Sequence, residues 1–294
     1  MKGCSLKDKV LGRSVRRILA ALVVMASGTV ASVTTVTPAQ AVTGLRYISG
    51  YIDSGSGPRK TLTIICHSGD VAIGGGAHLT GALGDVTIRQ IQPTVVDGTG
   101  RLIVVAEEDP DGYSGSWRLD ATAVCVPRPA GLSFVHGSMT DPFLVWATAS
   151  CGSKRIIGSG YILSDTGVVK AAGAQIGSSN RAYVSAEPSR VPGAVTPVTG
   201  TAVAVCANVA LPGMREVEAE TAQNSFDGKS ATATCPAGTT VIGVGGGLFG
   251  RRNHTVIDDF RIKESSASVT VTGYEDQAGN PDGWAVSATA VCAT

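Results

Sequence analysis

Six of the seven cysteines form three pairs of nearly equal spacing. The paired positions are 59, 55 and 57 residues apart, and the first members of successive pairs are 85 and 84 residues apart. The pairs are Cys66–Cys125, Cys151–Cys206 and Cys235–Cys292. Similar sequence surrounds each pair, so the chain reads as one unit written three times. Such repetition constrains the architecture before any strand is assigned, and it favours three similar surfaces over one asymmetric catalytic site.

The first 41 residues have the pattern of an export signal. Basic residues precede the apolar run Ile18–Ala26, and Ala39-Gln40-Ala41 matches an A-x-A cleavage site. A membrane-spanning helix needs about 20 apolar residues, more than this run provides. We therefore expect a cleaved signal peptide at 1–41, no transmembrane anchor, and a secreted, extracellular product.

The charge of the remaining chain excludes one class of partner. Without the expected signal, the chain keeps 18 basic and 22 acidic residues, a net charge near −4. Nucleic-acid binding usually needs a basic patch or stripe, so we expect no nucleic-acid partner.

The residue pattern of each copy favours strands. The runs that end at the first cysteines read TLTIIC, LVWATASC and SATATC, which are rich in β-branched and small residues. In WAVSATAVC, which ends at Cys292, strict alternation places Trp284 on the face of that cysteine. We expect Trp284, and Trp117 at the matching position, to anchor the core. Met214–Gln223 has helical propensity, but the equivalent segments read as strand, so we predict a strand there.

Glycine runs follow the first cysteine of each pair, as in CHSGDVAIGGG and CPAGTTVIGVGGG. They predict close backbone approach, a bulge or a positive φ. The run Gly245–Gly250 formally matches G-x-G-x-x-G, but RRNH follows it where a helix would be needed to bind a dinucleotide. No histidine has the spacing of a metal ligand motif. We expect no catalytic residue, no cofactor and no metal site.

These patterns predict an all-β protein of three tandem β repeats. After the signal peptide, the repeats occupy 42–128, 129–212 and 213–294. We expect their sheets to pack about a pseudo-three-fold axis as a β-prism. Three small β-sandwiches in tandem are the alternative.

Six cysteines in a secreted chain predict three disulfides. The repeated spans favour pairing within each copy. The rival scheme shifts every bond by one and joins Cys125–Cys151, Cys206–Cys235 and Cys66–Cys292. A loop of this length contributes about 4 kcal/mol on the chain-entropy model, so we expect reduction to unfold the protein.

The block CPAGTTVIGVGGG, followed by DGWAVSATAVCA, resembles a repeat module of secreted proteins from high-GC Gram-positive bacteria. The similarity is good in the third copy, fair in the first and weak in the second. This resemblance implies no assigned activity. The arrangement of three cysteine-containing β repeats is also similar to the β-prism of the vitelline membrane outer layer protein I family, which implies a three-fold prism and glycan as an expected ligand.

Acidic residues recur near the end of one strand pattern in each copy. Paired carboxylates can hydrolyse glycosides when they are held at set separations, although a solvated strand end explains them equally well. Nearby tyrosines could stack on sugars. The candidate binding residues are therefore Glu107, Glu108, Glu187, Glu275, Asp276, Tyr113 and Tyr274.

Three functions remain open on these grounds. The first is a non-catalytic binding or structural protein of the cell envelope or extracellular medium, with cell-wall or extracellular glycan as its partner. The second is a carbohydrate-active hydrolase that uses Glu107 or Glu275. The third is a secreted inhibitor or effector.

Overall fold

The structure is a computed structural model that describes residues 42–164, 167–175, 179–188, 197–250 and 254–294. The expected signal peptide at 1–41 lies outside these residues. The described residues form strands throughout, apart from connecting turns and one 3₁₀ turn at Glu264–Ser266. None of them belongs to a helix with the length and hydropathy of a membrane span.

Each third of the chain contributes six strands. The first copy contains β1 (Arg46–Gly55), β2 (Arg59–Ile65), β3 (Asp70–Thr80), β4 (Val86–Val96), β5 (Thr99–Glu108) and β6 (Trp117–Pro127). The second contains β7 (Ser133–Asp141), β8 (Val145–Ser150), β9 (Arg155–Leu163), β10 (Gly167–Gln175), β11 (Arg181–Pro188) and β12 (Val198–Ala207). The third contains β13 (Arg215–Glu220), β14 (Lys229–Thr234), β15 (Thr240–Gly250), β16 (Thr255–Lys263), β17 (Ser268–Glu275) and β18 (Trp284–Ala293).

These strands form three antiparallel sheets of six strands each. Sheet A has the order β1-β6-β3-β16-β17-β14, sheet B β2-β5-β4-β9-β12-β7, and sheet C β13-β18-β15-β10-β11-β8. Each sheet takes three strands from one copy and three from another, in cyclic order, and all three enclose one hydrophobic core. The predicted all-β, three-sheet architecture is confirmed. Three separate sandwiches are excluded, because no sheet comes from a single copy.

Local helical propensity is overridden in the third copy. Arg215–Glu220 forms β13, which pairs with β18 along its whole length. The prediction of a strand here is confirmed, because cross-strand hydrogen bonds with β18 and the packing of the half-buried Val217 and Ala219 on the core outweigh a weak intrinsic preference.

The glycine runs lie where the three sheets meet. β3, β9 and β15 each carry a bulge, at Ile73, Ile157 and Ile242, and all three isoleucines are fully buried. A Cβ atom on Gly158 would lie 1.8 Å from the carbonyl oxygen of Ile73, so this position accepts only glycine. The prediction of close backbone approach is confirmed.

Each disulfide joins two different sheets. Cys66–Cys125 links sheet B to sheet A, Cys151–Cys206 links C to B, and Cys235–Cys292 links A to C, with Cα–Cα distances of 5.8, 5.6 and 5.8 Å. Pairing within copies is therefore confirmed, and the shifted scheme is wrong. Three such bonds indicate that the protein folds in an oxidising compartment outside the cytoplasm.

Candidate functional site

Two of the candidate carboxylates hold the buried tryptophans. Oε1 of Glu275 accepts a hydrogen bond of 2.9 Å from Nε1 of Trp284, and Oε1 of Glu108 accepts one of 2.9 Å from Nε1 of Trp117. Both indoles are fully buried, so their predicted role as core anchors is confirmed. The second oxygen of each glutamate accepts a backbone N–H, at 2.8 Å for Glu275 and 3.1 Å for Glu108.

A lysine completes each of these contacts. Nζ of Lys60 lies 4.5 Å from the ring centroid of Trp117, and Nζ of Lys229 lies 4.7 Å from that of Trp284. Burial lowers the pKa of both lysines, while nearby carboxylates act in the opposite direction. We call the two trios the tryptophan clamps. They consist of Lys60, Trp117 and Glu108, and of Lys229, Trp284 and Glu275.

The second copy has no tryptophan clamp. Val145 and Val198 stand where the other copies have lysine and tryptophan, and Pro188 stands at the glutamate position in the strand register. The three members are thus present or absent together. Their joint replacement indicates that they act as one unit, because a glutamate in this position would lose its hydrogen-bond donor if the tryptophan were absent.

Glu107 and Glu187 contact a second set of buried charges. Nε of Arg89 lies 3.0 Å from Oε2 of Glu107, and Nζ of Lys170 lies 4.0 Å from Oε2 of Glu187. Arg89 and Lys170 are buried, and each occupies a bulge, in β4 and β10 respectively. Both carboxylates therefore offset a buried cation.

The third copy has a buried acid in place of this buried cation. Asp258 occupies the bulge of β16 and is buried, and Oδ2 accepts a hydrogen bond of 3.0 Å from the N–H of Gly84. Burial raises the pKa of Asp258 well above its ordinary value. Tyr274 takes the register position that Glu107 and Glu187 hold elsewhere, and the pKa of its phenol is raised by burial and then by Asp258. In the third copy, therefore, an acid replaces the cation in the bulge and a tyrosine replaces the glutamate that would face it.

The two remaining candidates also make contacts within the fold. Oδ2 of Asp276 lies 2.9 Å from Nδ1 of His254. The hydroxyl of Tyr113 donates to the carbonyl of Gly81, and its ring packs against the core. The residues selected from the sequence thus take part mainly in contacts within the fold, namely tryptophan clamps, buried ion pairs and loop contacts.

A more open site lies on the outer face of sheet A. A groove of about 790 Å³ crosses this face where β3 meets β16. The two strands pair there only through His78 with Asp259 and Ala77 with Phe260. The short pairing separates the two halves of the sheet and leaves a depression with Gly76 in its lining. We call it the sheet A groove.

An aromatic ring and a fixed ion pair line one side of the sheet A groove. Tyr51 is 56% exposed, and the guanidinium of Arg118 lies 4.0 Å from its ring centroid. Nε and Nη2 of Arg118 donate to the two carboxylate oxygens of Asp120 at 2.9 and 2.8 Å. This bidentate contact fixes the orientation of the guanidinium, so the tyrosine and the ion pair form a rigid unit.

A second polar pair holds His78, which lines the groove. Nδ1 of His78 lies 2.6 Å from Oδ1 of Asp259, which also accepts the N–H of Leu79 at 3.0 Å. Register places Tyr51, Asp120, His78 and Asp259 in one row across four strands. Donors, acceptors and an aromatic ring thus follow each other at the spacing of the strands, about 4.8 Å.

The sequence alone does not predict this row. Its members lie on β1, β6, β3 and β16 and become neighbours only when these strands pair. One signal was present, since Arg118 and Asp120 alternate with Trp117 and Leu119 and must therefore face away from the core.

Comparisons with known proteins assign neither a family nor a function to this chain. In the ranges that the structure describes, no three His, Cys, Asp or Glu side chains gather in a way that would hold a metal ion. No protein-family model and no curated protein sequence matches the chain.

Proposed function

We propose that this is a secreted, non-catalytic binding protein of the cell envelope or extracellular medium, and that its sheet A groove holds a cell-wall or extracellular glycan. The observation that carries the proposal is the exposed Tyr51 ring beside the fixed Arg118–Asp120 pair in an open groove.

The chemistry of the groove suits a sugar chain. A pyranose ring has an apolar face that packs on an aromatic ring, and Tyr51 offers such a surface. Its hydroxyls need charged or polar groups as hydrogen-bond partners, and Arg118, Asp120 and His78 supply them. Because these side chains are already held by each other, little conformational entropy is lost on binding.

The contacts of the candidate carboxylates support binding over hydrolysis. A glycosidase needs one carboxylic acid and one carboxylate facing the scissile bond. Glu275 accepts hydrogen bonds from Trp284 and Asn280, and Glu107 contacts Arg89 and Arg59. Both are occupied by internal partners, and for this reason we rank a hydrolase second.

Two features support secretion. The three disulfides require an oxidising compartment, and the segment 1–41 has the composition of an export signal. The resemblance of the third copy to modules of secreted bacterial proteins agrees with both.

A glycan array combined with retention on insoluble cell-wall polysaccharide tests the proposal. We expect the wild type to be retained and Tyr51→Ala to lose about tenfold in affinity, the effect of one lost stacking contact. Phe226→Ala is the matched control, because Phe226 is an exposed aromatic residue outside the groove. Equal melting temperatures would show that both variants fold. Absence of retention on every polymer, or equal losses in both variants, would contradict the proposal.

A further inference from the structure

The outer face of sheet C carries an aromatic pair at one edge. The rings of Trp146 on β8 and Tyr183 on β11 are stacked, with centroids 5.7 Å apart and planes 9° from parallel. Trp146 is 47% exposed, whereas Trp117 and Trp284 are fully buried. The pair is therefore a rigid aromatic platform, in which the Trp146 ring is open to solvent and the Tyr183 ring is half-buried.

The centre of this face has only small side chains. Gly173 on β10 and Gly245 on β15 point outward here, and a Cβ on Gly173 would lie 3.1 Å from the Cα of Gly245. The same Cβ would lie 3.4 Å from Oη of Tyr183, so the phenol extends from the platform over this glycine floor. The result is a flat, shallow surface.

The opposite edge is acidic. Glu216, Glu218 and Glu220 alternate along β13, which places all three on the outer face, and all three are exposed. Burial raises the pKa of Tyr183 to about 12, and the charges of Glu216 and Glu218 add to this rise. The carboxylates thus act electrostatically across the floor towards the platform.

Neither of the other sheets has this combination. The matching positions for Trp146 are Thr61 in sheet B and Ser230 in sheet A. The residues that match Glu218 are His136 and Ser49. The three outer faces have therefore diverged, and only sheet C joins an open aromatic platform to a row of carboxylates. We call this surface the sheet C face.

We propose that the sheet C face binds a positively charged amino-sugar glycan, with one ring stacked on Trp146 and protonated amines near Glu218 and Glu220. β8 and β13 are the two edge strands of the six-stranded sheet C, so a ligand that reaches from one edge to the other is an oligosaccharide and not a single sugar. Stacking uses the apolar face of a sugar ring. The carboxylates attract its ammonium groups.

The flatness of the floor favours a glycan over a basic peptide. An extended peptide projects alternate side chains into the surface and needs pockets to receive them. Gly173 and Gly245 leave a smooth floor there, on which a ribbon of sugar rings lies close. The site is separate from the sheet A groove and does not depend on the function proposed for that groove.

Tryptophan fluorescence gives a direct measurement, because Trp146 is the exposed tryptophan and the two buried ones supply a constant background. The probe is a β-1,4-linked glucosamine hexamer at about pH 5.5, below the pKa of ordinary amino groups, so that the hexamer is positively charged. The fully N-acetylated hexamer is the matched neutral control. We expect a change in emission with the charged hexamer, at least tenfold weaker binding of the acetylated one, and weakening by added salt.

Variants separate the two parts of the site. Glu218→Gln combined with Glu220→Gln should weaken binding of the charged hexamer about tenfold, as expected when two charge contacts are lost. Trp146→Ala, followed by calorimetry, should weaken the binding of both hexamers. Phe226→Ala, at an exposed aromatic residue in the connection between β13 and β14, should leave this binding unchanged.

Three outcomes would overturn the proposal. Equal affinity for the two hexamers would mean that charge plays no part. Unchanged binding in the double glutamine variant, with a wild-type melting temperature, would place the ligand elsewhere. Tighter binding of an oligolysine peptide than of the glucosamine hexamer would identify a basic peptide as the partner.

Discussion

Glu275 and Trp284 belong to different sheets, and the 2.9 Å hydrogen bond between them ties sheet A to sheet C. Glu108 and Trp117 join sheet B to sheet A in the same way. Each of these bonds lies at a corner of the prism whose other end carries a disulfide. Two corners therefore have both a disulfide and a tryptophan–glutamate hydrogen bond, whereas the corner of the second copy has a disulfide and no tryptophan clamp.

Replacing the clamp carboxylate should destabilise the fold. Glu275→Ala leaves the indole N–H of Trp284 buried without its acceptor, and we expect a loss of about 1–3 kcal/mol in the free energy of unfolding. Urea denaturation measures the change. Glu220→Ala, at an exposed glutamate, is the control and should lose less than about 0.5 kcal/mol. Similar losses in the two variants would show that the clamp adds nothing to stability.

Each disulfide should contribute a comparable stability. The three loops span 59, 55 and 57 residues, so the chain-entropy model gives about 4 kcal/mol for each. Cys235→Ser together with Cys292→Ser should lower the melting temperature strongly, and reductant should unfold the wild type. Calorimetry with and without reductant provides the measurement. An unchanged melting temperature would contradict the expectation.

Stability should fall as pH rises through the neutral range. Burial, together with Asp111 and Asp85, raises the pKa of Asp109 to about 8 in the folded state. The folded state therefore holds a proton that the unfolded state loses near pH 4, and this stabilisation disappears between about pH 4 and pH 8. Asp258 acts in the same direction.

Asp109→Asn should flatten this dependence, because an amide does not ionise. Melting temperatures between about pH 4 and pH 9 give the measurement. Asp97→Asn is the control, since Asp97 is an exposed turn residue with a φ of 50° that asparagine also tolerates. A wild-type profile that rises from pH 4 to 8, or equal slopes for the wild type and Asp109→Asn, would contradict this assignment.

Gly76 should not accept a side chain. A Cβ on Gly76 would lie 2.1 Å from the carbonyl oxygen of Phe260, at the junction of β3 and β16. We expect Gly76→Ala to cost about 3 kcal/mol, because backbone must move to admit the methyl group. Gly57→Ala is the matched control, since nothing lies within 4 Å of its Cβ position. Chemical denaturation of both variants tests the difference.

The disulfide pairing and the residues that face the core could be predicted from the sequence. Equal spans identified the pairing of Cys66 with Cys125, and alternation placed Trp284 in the core. No local sequence pattern indicated that each sheet would combine strands from two copies. β1 and β2 are joined by a three-residue connection, 56–58, which is equally compatible with a hairpin and with a corner between sheets.

The candidate site was harder to predict than the fold. The acidic residues looked equivalent because they are adjacent in sequence, yet strand register places Glu187 with Glu107 and separates both from Glu275. Bulges at Arg89, Lys170 and Asp258 change which face of the sheet the following residues occupy. A bulge depends on the pairing of strands that are distant in sequence. The sheet A groove needs four strands from two copies, and no local pattern could assemble it.

The cross-sheet cystines have a consequence for a chain whose backbone is cut. A single peptide-bond cleavage anywhere between Cys66 and Cys125, or within either of the other two cystine loops, leaves both pieces covalently attached. Most of the strand-forming sequence lies inside these loops. A nicked molecule would therefore keep its mass and its surfaces until a reductant acted on it, which favours a long working life among proteases.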